Sequence, residues 1–187
     1  MPRLYTGLDN FRESQTIRET SIKPMATATN PYTARILGLL ADRPFLDVLQ
    51  STPAKLQQQF ERLGPQGLKK SYAPGKWTAS QIFCHLADVE LAVGFRSRQA
   101  AVEPNHRIQP FDQDLWARNY VHQDPAAAVK ACIALRAWNL SFWRTLSADD
   151  LAKVAFHPER GDESVERILQ LLAGHDLNHL AQLEKIG

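Results

Sequence analysis

Six histidines occur in this chain of 187 residues, and three of them have a spacing that suits a metal site. His175 and His179 are four residues apart near the end of the sequence, and His85 comes far before them. Positions four apart on a helix project from adjacent turns of one face, so two imidazoles there can share an ion. His85, His175 and His179 are therefore the candidate metal ligands. The other three are predicted to lie in connections, solvated or as capping residues: His106, His122 and His157.

The apolar pattern around the three candidate ligands predicts that they point into the protein interior. With about 100° per residue, His175 and His179 fall inside the apolar stripe of their segment, and His85 falls inside a second stripe. The stripe around His175 and His179 contains Val165, Ile168 and Leu172. The stripe around His85 contains Ile82, Leu86, Val89 and Ala92. The His-x-x-x-His pattern alone is weak, and a single buried histidine usually finds a carbonyl or hydroxyl partner. Three inward imidazoles without a metal would each be desolvated, so the set of three favours a metal.

Several neighbouring residues could assist such a site, although each also has an ordinary structural explanation. Asp88 and Gln182 each follow a histidine by three positions and could orient a ligand, contact a substrate or simply lie at the surface. Cys84 points about 100° away from the histidine beside it and is predicted to be a small buried hydrophobe. Gly174 could allow a close backbone approach. Arg136 could meet an anionic substrate, but pairing with a core carboxylate is the preferred prediction. The sequence identifies no catalytic residue.

Long helices must position these residues, and the prolines show where such helices can lie. An internal proline destabilises a helix by about 3 kcal/mol or more, so long helices are expected where the sequence has no proline. Three windows contain no proline: residues 75–103, 126–157 and 159–187. Thr78 and Gln81 fit a capping box at the start of the first window's helix, which is predicted to reach about Val102. Asp124 is predicted to cap the next helix and Ser164 the last. The helix after Asp124 carries a second apolar stripe and is predicted to be covered on two sides; that stripe is Leu135, Trp138 and Phe142.

Shorter signals precede these windows. Asn30-Pro31 predicts the start of a short helix, and Ser51-Thr52-Pro53 predicts the start of the first bundle helix, with Gly64 just past its end. Residues 64–75 are predicted to be a loop, and the connection over 104–124 is predicted to cross the bundle with a short helix near 111–116. No segment shows sustained alternation of apolar and polar residues. The predicted fold is therefore all-α, a four-helix bundle over residues 30–187. Residues 1–29 are predicted to be a flexible extension, in which Met25 is an alternative start.

Composition excludes several classes of protein. The 22 Lys and Arg residues against 20 Asp and Glu give a net charge of +2, too balanced for a domain that neutralises many phosphates, so no nucleic-acid partner is predicted. The longest apolar run, Ile36 to Ala41, is far shorter than the ~20 residues of a membrane-spanning helix, so no membrane partner is predicted. The two cysteines cannot form a disulfide scaffold. A cytoplasmic protein with a small-molecule substrate is expected.

Two sets of residues resemble the DinB/YfiT-like proteins. The first runs from Gly75-Lys76-Trp77-Thr78 through Ile82-Phe83-Cys84-His85-Leu86-Ala87-Asp88, and the second contains residues 157–161 and 174–182. Residues 111–116 and the region of Leu135-Arg136 also fit, so the resemblance extends from about residue 45 to the C-terminus. It implies an up-down-down-up bundle that binds a divalent metal through the three histidines, as a homodimer. Members of the family include thiol-dependent S-transferases and isomerases, and others described as metal-dependent hydrolases.

The leading hypothesis is a metal-dependent hydrolase or thiol-dependent S-transferase that acts on a small molecule. Three imidazoles with open coordination positions are typical of a catalytic site, with zinc or nickel expected first and iron or manganese next. A low-molecular-weight thiol is the expected second cofactor of a transferase. The alternative is a non-catalytic metal-binding or stress-response dimeric bundle. A di-iron carboxylate protein is disfavoured, because the chain contains no Glu-x-x-His.

Overall fold

The computed structural model describes residues 30–187, so the predicted extension over residues 1–29 lies outside the described residues. Four long helices and several short elements make up this part of the chain. In order they are α1 (Pro31–Leu40), α2 (Phe45–Gly67), α3 (Ala79–Val102), α4 (Gln113–Ala117), a 3-10 turn (Tyr120–His122), α5 (Pro125–Trp143), α6 (Ala148–Ala152), strands β1 (Val154–His157) and β2 (Gly161–Ser164), and α7 (Val165–Glu184). No described helix has the length and hydropathy needed to cross a bilayer.

The helix directions follow from contacts made at different heights of the bundle. At mid-height, Arg136 of α5 hydrogen-bonds to α2, α3 and α7 at Leu49, Glu90 and Asp176. Near the end of α2, Arg62 donates to the carbonyls of Leu183 in α7 and Ile186 just after it, so α2 and α7 run in the same direction.

Contacts at the two ends complete the topology. Trp143 at the end of α5 donates to Ser97 of α3 over 2.9 Å, so α3 and α5 run parallel toward that end. Ser80 at the start of α3 donates to the carbonyl of Leu68, just after α2, so α3 runs opposite to α2. The order is up-down-down-up, and the predicted four-helix bundle is confirmed.

Most helix starts are where the sequence places them, because local caps determine them. Thr78 and Gln81 form the complete capping box at α3. The side chains of Asn30, Asp124 and Ser164 accept backbone N–H groups at the starts of α1, α5 and α7. The short helix predicted near 111–116 is α4, capped by Asp112.

The predicted start of the first bundle helix at Ser51-Thr52-Pro53 is wrong. The helix α2 begins eight residues earlier, at Phe45, and Pro53 lies inside it. Because proline has no N–H, the carbonyl of Leu49 has no helical donor. Arg136 of α5 donates to that carbonyl over 2.9 Å. A tertiary contact therefore replaces the missing bond and lets the helix continue through the proline.

The end of α2 agrees with the sequence only in part. Gly64 has a φ of 54° and a ψ of −175°. The positive φ is the kind that favours the glycine predicted at this helix end, but the residue does not adopt the left-handed helical conformation. Pro65 then begins another helical turn that reaches Gly67, inside the segment predicted to be a loop. The chain thus bends at Gly64 and continues.

Two further features of the local structure differ from the predictions. The second apolar stripe of α5 is covered only in part: Leu135 and Phe142 are half-buried, and Phe142 packs on the core, but Trp138 is 67% exposed. Residues 154–164 form an antiparallel hairpin, β1 with β2, in an otherwise helical fold. Its strands have four residues each, too short for an alternating pattern to stand out.

Candidate metal centre

Helices α3 and α7 bring the three candidate ligands together in the core. The Nε2 atom of His175 lies 2.9 Å from Nε2 of His85 and 3.1 Å from Nε2 of His179. All three residues are buried, with 2%, 8% and 6% of their surface exposed for His85, His175 and His179. One nitrogen of each ring therefore faces a common point.

The donor set fits a divalent transition metal. Two imidazole nitrogens about 2.0–2.1 Å from one zinc ion are separated by about 3.3 Å in a tetrahedral site, close to the separations of these Nε2 atoms. Burial, with the nearby His179, lowers the pKa of His85 to about 3. Burial also lowers the pKa of His179 to about 4 and that of His175 well below its ordinary value. The rings are neutral at pH 7, which is the form that binds a metal.

One ligand is oriented by a hydrogen bond from its other ring nitrogen. Nδ1 of His179 lies 2.8 Å from Oε1 of Gln182, so a proton on Nδ1 leaves the Nε2 lone pair free. The amide of Gln182 in turn donates to Tyr72 over 3.4 Å. The predicted orienting role of Gln182 agrees with this geometry. Nδ1 of both His85 and His175 has no hydrogen-bond partner among the described residues.

Helix α1 packs on α7 beside the histidines, and a glycine makes this possible. A Cβ atom on Gly174 would lie 2.2 Å from the carbonyl oxygen of Ile36, so only glycine allows the two backbones to come this close. The close backbone approach predicted at Gly174 is confirmed. Because Thr33 and Ile36 of α1 line the cavity next to His175, this approach also shapes the space in front of the histidines.

The main cavity of the site opens on His85 and His175. Its volume is about 420 Å³, within the range of small-molecule sites. Its middle is apolar, lined by Val89, Val93, Ile108, Ile168 and Leu172, and its far end is polar, lined by Arg96, His157, Glu159 and Arg160.

A second cavity, of about 330 Å³, opens on His85 and His179 from another side. Polar side chains dominate its lining: Arg35, Tyr72, Lys76, Asp114, Asn178 and Gln182. Tyr32 and Gln113 line both cavities and lie between them. The histidines can therefore be reached from an apolar side and from a polar side.

Arg136 belongs to a separate buried cluster and does not line either cavity. Its guanidinium bonds to Glu90 at 2.6 Å and to Asp176 at 2.8 Å, and Asn139 donates to the other oxygen of Glu90. Burial alone would lower the pKa of Arg136, but the carboxylates of Asp176 and Glu90 hold it above its ordinary value. The prediction of a core carboxylate partner is confirmed, and the alternative of an anionic substrate is wrong.

Asp88 and Cys84 do not contribute to the cluster of histidines. Asp88 accepts a hydrogen bond from Tyr120 over 2.9 Å and does not contact a ligand ring. Cys84 is buried, and burial raises the pKa of its thiol to about 11, as expected of a small hydrophobic residue. The ring of Trp77 instead packs against His85, with centroids 4.8 Å apart.

Of the remaining histidines, His122 is exposed as predicted, and Nδ1 of His106 lies 2.8 Å from a Glu103 oxygen. The prediction for His157 is wrong, because it lies on β1 with only 1% of its surface exposed. Its Nδ1 accepts from the backbone of Glu159 over 3.2 Å. The burial of His157 depends on the hairpin, which the sequence pattern does not predict.

The polar residues at the far end of the main cavity are not predicted from the sequence either. Arg96 comes 11 residues after His85, which places it about 20° from His85 around the helix. That angle is a signal of a shared face that could have been found. Arg160 lies in the turn of the hairpin, for which the sequence carries no comparable signal.

Comparison with known proteins gives a consistent result. The family model described as the DinB superfamily matches residues 49–183. A protein of Oceanobacillus iheyensis named "putative metal-dependent hydrolase" is 30% identical over 143 residues, which span 76% of this chain and 83% of that protein. The protein of Bacillus subtilis named "putative metal-dependent hydrolase YfiT" is 26% identical over 146 residues, which span 76% and 82%.

Two solved structures share the fold. The structure of YfiT from Bacillus subtilis, described as a probable metal-dependent hydrolase with an unusual four-helix bundle topology, gives a TM-score of 0.72 at 24% identity and covers 88% of this chain and 90% of that one. The mycothiol-dependent maleylpyruvate isomerase gives a TM-score of 0.61 at 17% identity, covering 76% and 61%. At these identities the likeness concerns the fold.

Proposed function

This chain belongs to the DinB superfamily, and on that basis we propose that it is a metal-dependent enzyme that activates a nucleophile against a small-molecule substrate. One observation carries the proposal. Three neutral imidazoles turn their Nε2 atoms to one point at the wall of a cavity of about 420 Å³. A site with three protein ligands that is open on one side is typical of catalytic metals, whereas structural sites are closed.

The residues around the point of convergence have separable tasks. His85, His175 and His179 would hold the ion through Nε2, and zinc and nickel are the first candidates because both accept imidazole ligands. When bound, the ion supplies Lewis acidity that makes water or a thiol a nucleophile at neutral pH. Gln182 fixes the His179 ring, and Trp77 excludes water from one face of His85. The apolar walls of the main cavity would hold the substrate beside the nucleophile.

Hydrolysis, with water as the nucleophile, is the activity we propose first, in line with the names of the relatives from Oceanobacillus and Bacillus. The second cavity favours one further candidate, transfer of a low-molecular-weight thiol. It is polar, reaches His85 and His179, and is separated from the apolar cavity by Tyr32 and Gln113. A polar thiol on one side and an apolar electrophile on the other would meet at the histidines. The isomerase that shares the fold is named as dependent on a thiol, mycothiol.

Metal analysis tests the common part of these proposals. The protein is purified without a polyhistidine tag, and bound metal is measured by mass spectrometry in the parent, His85→Ala and His179→Ala. We expect about one ion per chain in the parent and less than a tenth of that in both variants, because each loses one of three ligands. His122→Ala, which removes an exposed histidine, is the control and should keep its metal. A parent that takes up no divalent metal in any preparation overturns the proposal.

A second assay separates the two activities. Release of p-nitrophenol from p-nitrophenyl esters reports hydrolysis, and conjugation of 1-chloro-2,4-dinitrobenzene with cysteine reports thiol transfer. Lys76→Met alters the polar cavity, whereas Lys69→Met removes an exposed lysine outside it. Loss of thiol-dependent turnover in Lys76→Met alone would favour the transferase, and ester hydrolysis that needs metal but no thiol would favour the hydrolase.

The homodimer and the cytoplasmic location rest on the family resemblance and on composition, and we keep both as proposals. Analytical ultracentrifugation tests the first: a single species with twice the mass of the chain is expected. A monomer at all concentrations would contradict it.

A further inference from the structure

The far end of the main cavity carries positive charge that the proposed metal chemistry does not use. Along α3, the residues that line the cavity run from His85 through Val89 and Val93 to Arg96. With a rise of about 1.5 Å per residue, Val89 and Arg96 are about 10 Å apart along the helix axis. The same wall therefore changes from imidazole to apolar to cationic.

Arg96 is a cation without a carboxylate partner in the described part of the chain. Its Nη2 donates to the carbonyl of Gln109 over 2.6 Å, and its guanidinium lies over the ring of Phe111, 5.1 Å from the centroid. These contacts fix the guanidinium at the cavity wall, yet leave its other N–H groups free. Burial, together with the nearby Arg160, lowers the pKa of Arg96. A bound anion would offset both the burial of the Arg96 charge and its repulsion by Arg160.

The hairpin supplies further donors beside Arg96. The backbone of Phe156 exchanges hydrogen bonds of 2.9 Å with residues of the 106–108 segment, which holds the hairpin over this end of the cavity. Because Nδ1 of His157 accepts a backbone N–H, the neutral ring carries its proton on Nε2 and can donate from there. Arg160 also lines the cavity, although both oxygens of Glu163 already bind it, at 2.6 and 2.7 Å.

Negative charge at this end is either neutralised or in water. The carboxylate of Glu163 is held by Arg160. Glu159 and Asp112 also line the cavity, but both are exposed, so solvent and salt screen their charges, and Asp112 accepts the backbone N–H groups that begin α4. The uncompensated group that faces the interior of the cavity is the guanidinium of Arg96.

We propose that the main cavity binds an amphipathic organic anion, with its carboxylate or phosphate at Arg96 and His157 and its apolar part along Val89, Val93, Ile168 and Leu172. This proposal names the substrate class of the enzyme proposed above and rests on that function for the chemistry at the histidines. Guanidinium groups suit such anions because they donate two parallel hydrogen bonds. The reacting part of the molecule would then lie at the histidine end, because the contact between the anionic group and Arg96 fixes the position of the molecule along the cavity.

Calorimetric titration with octanoate, octyl phosphate, 1-octanol and acetate tests the proposal. Because a carboxylate can also bind a metal ion directly, each titration is run on the metal-loaded and on the metal-free full-length protein. We expect octanoate or octyl phosphate to bind the parent in both forms, octanol to bind more weakly, and acetate not to bind. The better of the two anions identifies the headgroup.

Three variants assign the contact. Arg96→Met should weaken anion binding about ten- to hundredfold, since it removes a charge-assisted hydrogen bond, and should leave octanol binding unchanged. Arg96→Lys, which keeps the charge, should recover a large part of the affinity even if the methionine variant loosens the cavity. Arg107→Met removes an exposed arginine that lies beside Ile108 but outside the cavity lining, and should change binding by less than about twofold.

Several results would overturn the proposal. Octanol could bind as tightly as octanoate, the parent and Arg96→Met could have equal affinity for the anion, or neither anion could bind. Anion binding that disappears when the metal is removed and is unchanged in Arg96→Met would also overturn it. Failure of the proposed metal function is a separate result. It is measured by metal content, which does not depend on these titrations.

Discussion

Two buried polar clusters lie within a few residues of each other in this bundle, and they differ in how completely their bonding is satisfied. In the cluster around Arg136, the guanidinium is bound to Glu90, Asp176 and the carbonyl of Leu49. In the cluster of His85, His175 and His179, three Nε2 atoms face one another and two Nδ1 atoms have no described partner. Asp176 and His175 are consecutive on α7, so the same helix turn contributes one residue to each cluster.

The difference separates a cluster whose bonding groups are all satisfied from one that has bonding groups left for a ligand. Ionic groups in a core must be paired, and around Arg136 they are, so nothing is left for a ligand to satisfy. Neutral imidazoles whose Nε2 atoms converge cannot all be satisfied by one another, whereas a cation placed between them could bind all three. The incomplete cluster also borders both cavities, whereas Arg136 lines neither. Substitutions at Arg136, His179, Gly174 and Gln182 probe this contrast, in decreasing order of expected effect.

Removal of Arg136 should destabilise the fold more than any of the other three substitutions. Arg136→Met leaves Glu90 and Asp176 buried without a counter-ion, which costs about 3–5 kcal/mol in the free energy of unfolding. Urea denaturation measures the loss. Adding Glu90→Gln and Asp176→Asn to Arg136→Met should restore part of it, because the uncompensated charges are gone. Arg144→Met, an exposed arginine just after α5, is the control; if it costs as much as Arg136→Met, the ion cluster has no special role.

The histidine cluster, unlike the cluster around Arg136, should affect the free energy of unfolding mainly through a divalent metal that is added to the protein. A divalent metal at about 100 times its dissociation constant should raise the free energy of unfolding of the parent by about 2.7 kcal/mol. His179→Ala should show no such increase, while its metal-free stability should fall less than that of Arg136→Met. Thermal melts with and without zinc or nickel measure both quantities. An equal increase in His179→Ala would contradict the three-ligand site.

Gly174 tests the covering of the cluster by α1. Gly174→Ala should cost about 1–3 kcal/mol, because the added Cβ would collide with the carbonyl of Ile36 and the helices must separate. Gly38→Ala, on the exposed side of α1 with no atom near its Cβ, should instead stabilise by up to about 1 kcal/mol. Denaturant unfolding of both variants gives the comparison. Equal effects would mean that α1 does not need the close approach.

The smallest effect is expected at Gln182. Gln182→Leu removes the acceptor that orients His179, so metal affinity should fall about tenfold with the fold intact. Gln182→Glu keeps an acceptor and should bind metal at least as well as the parent. Competition with a chromogenic chelator measures the affinities. An unchanged dissociation constant in Gln182→Leu would show that packing alone holds the ring.

The parts of the fold that the sequence predicts are those encoded by neighbouring residues. The caps at Thr78, Asp124 and Ser164 bond within three positions, so α3, α5 and α7 begin where expected. Periodicity likewise places His85, His175 and His179 on inward faces. The predicted start of α2 is wrong because the bond that lets the helix pass Pro53 comes from Arg136, far away in the sequence.

The same distinction applies to the site. His175, His179 and Gln182 are related by helical spacing, and His85 lies in the apolar stripe of its own helix, so the sequence contains a signal for each of them. The exposure of Trp138 and the burial of His157 depend on which elements pack next to them, which no local pattern gives. The far end of the main cavity is the clearest case, because it needs α3, the 106–111 segment and the hairpin at once.

The two ends of that cavity are built from different kinds of structure. The histidine end belongs to two long helices of the core, while the opposite end is completed by a three-residue turn, Pro158–Arg160, between short strands. Turns tolerate substitution and insertion far better than packed helices do. Under the proposed function, changes in this turn would alter the choice of substrate while the helices that carry the histidines stay as they are. A library of sequences confined to residues 158–160 would explore this route directly.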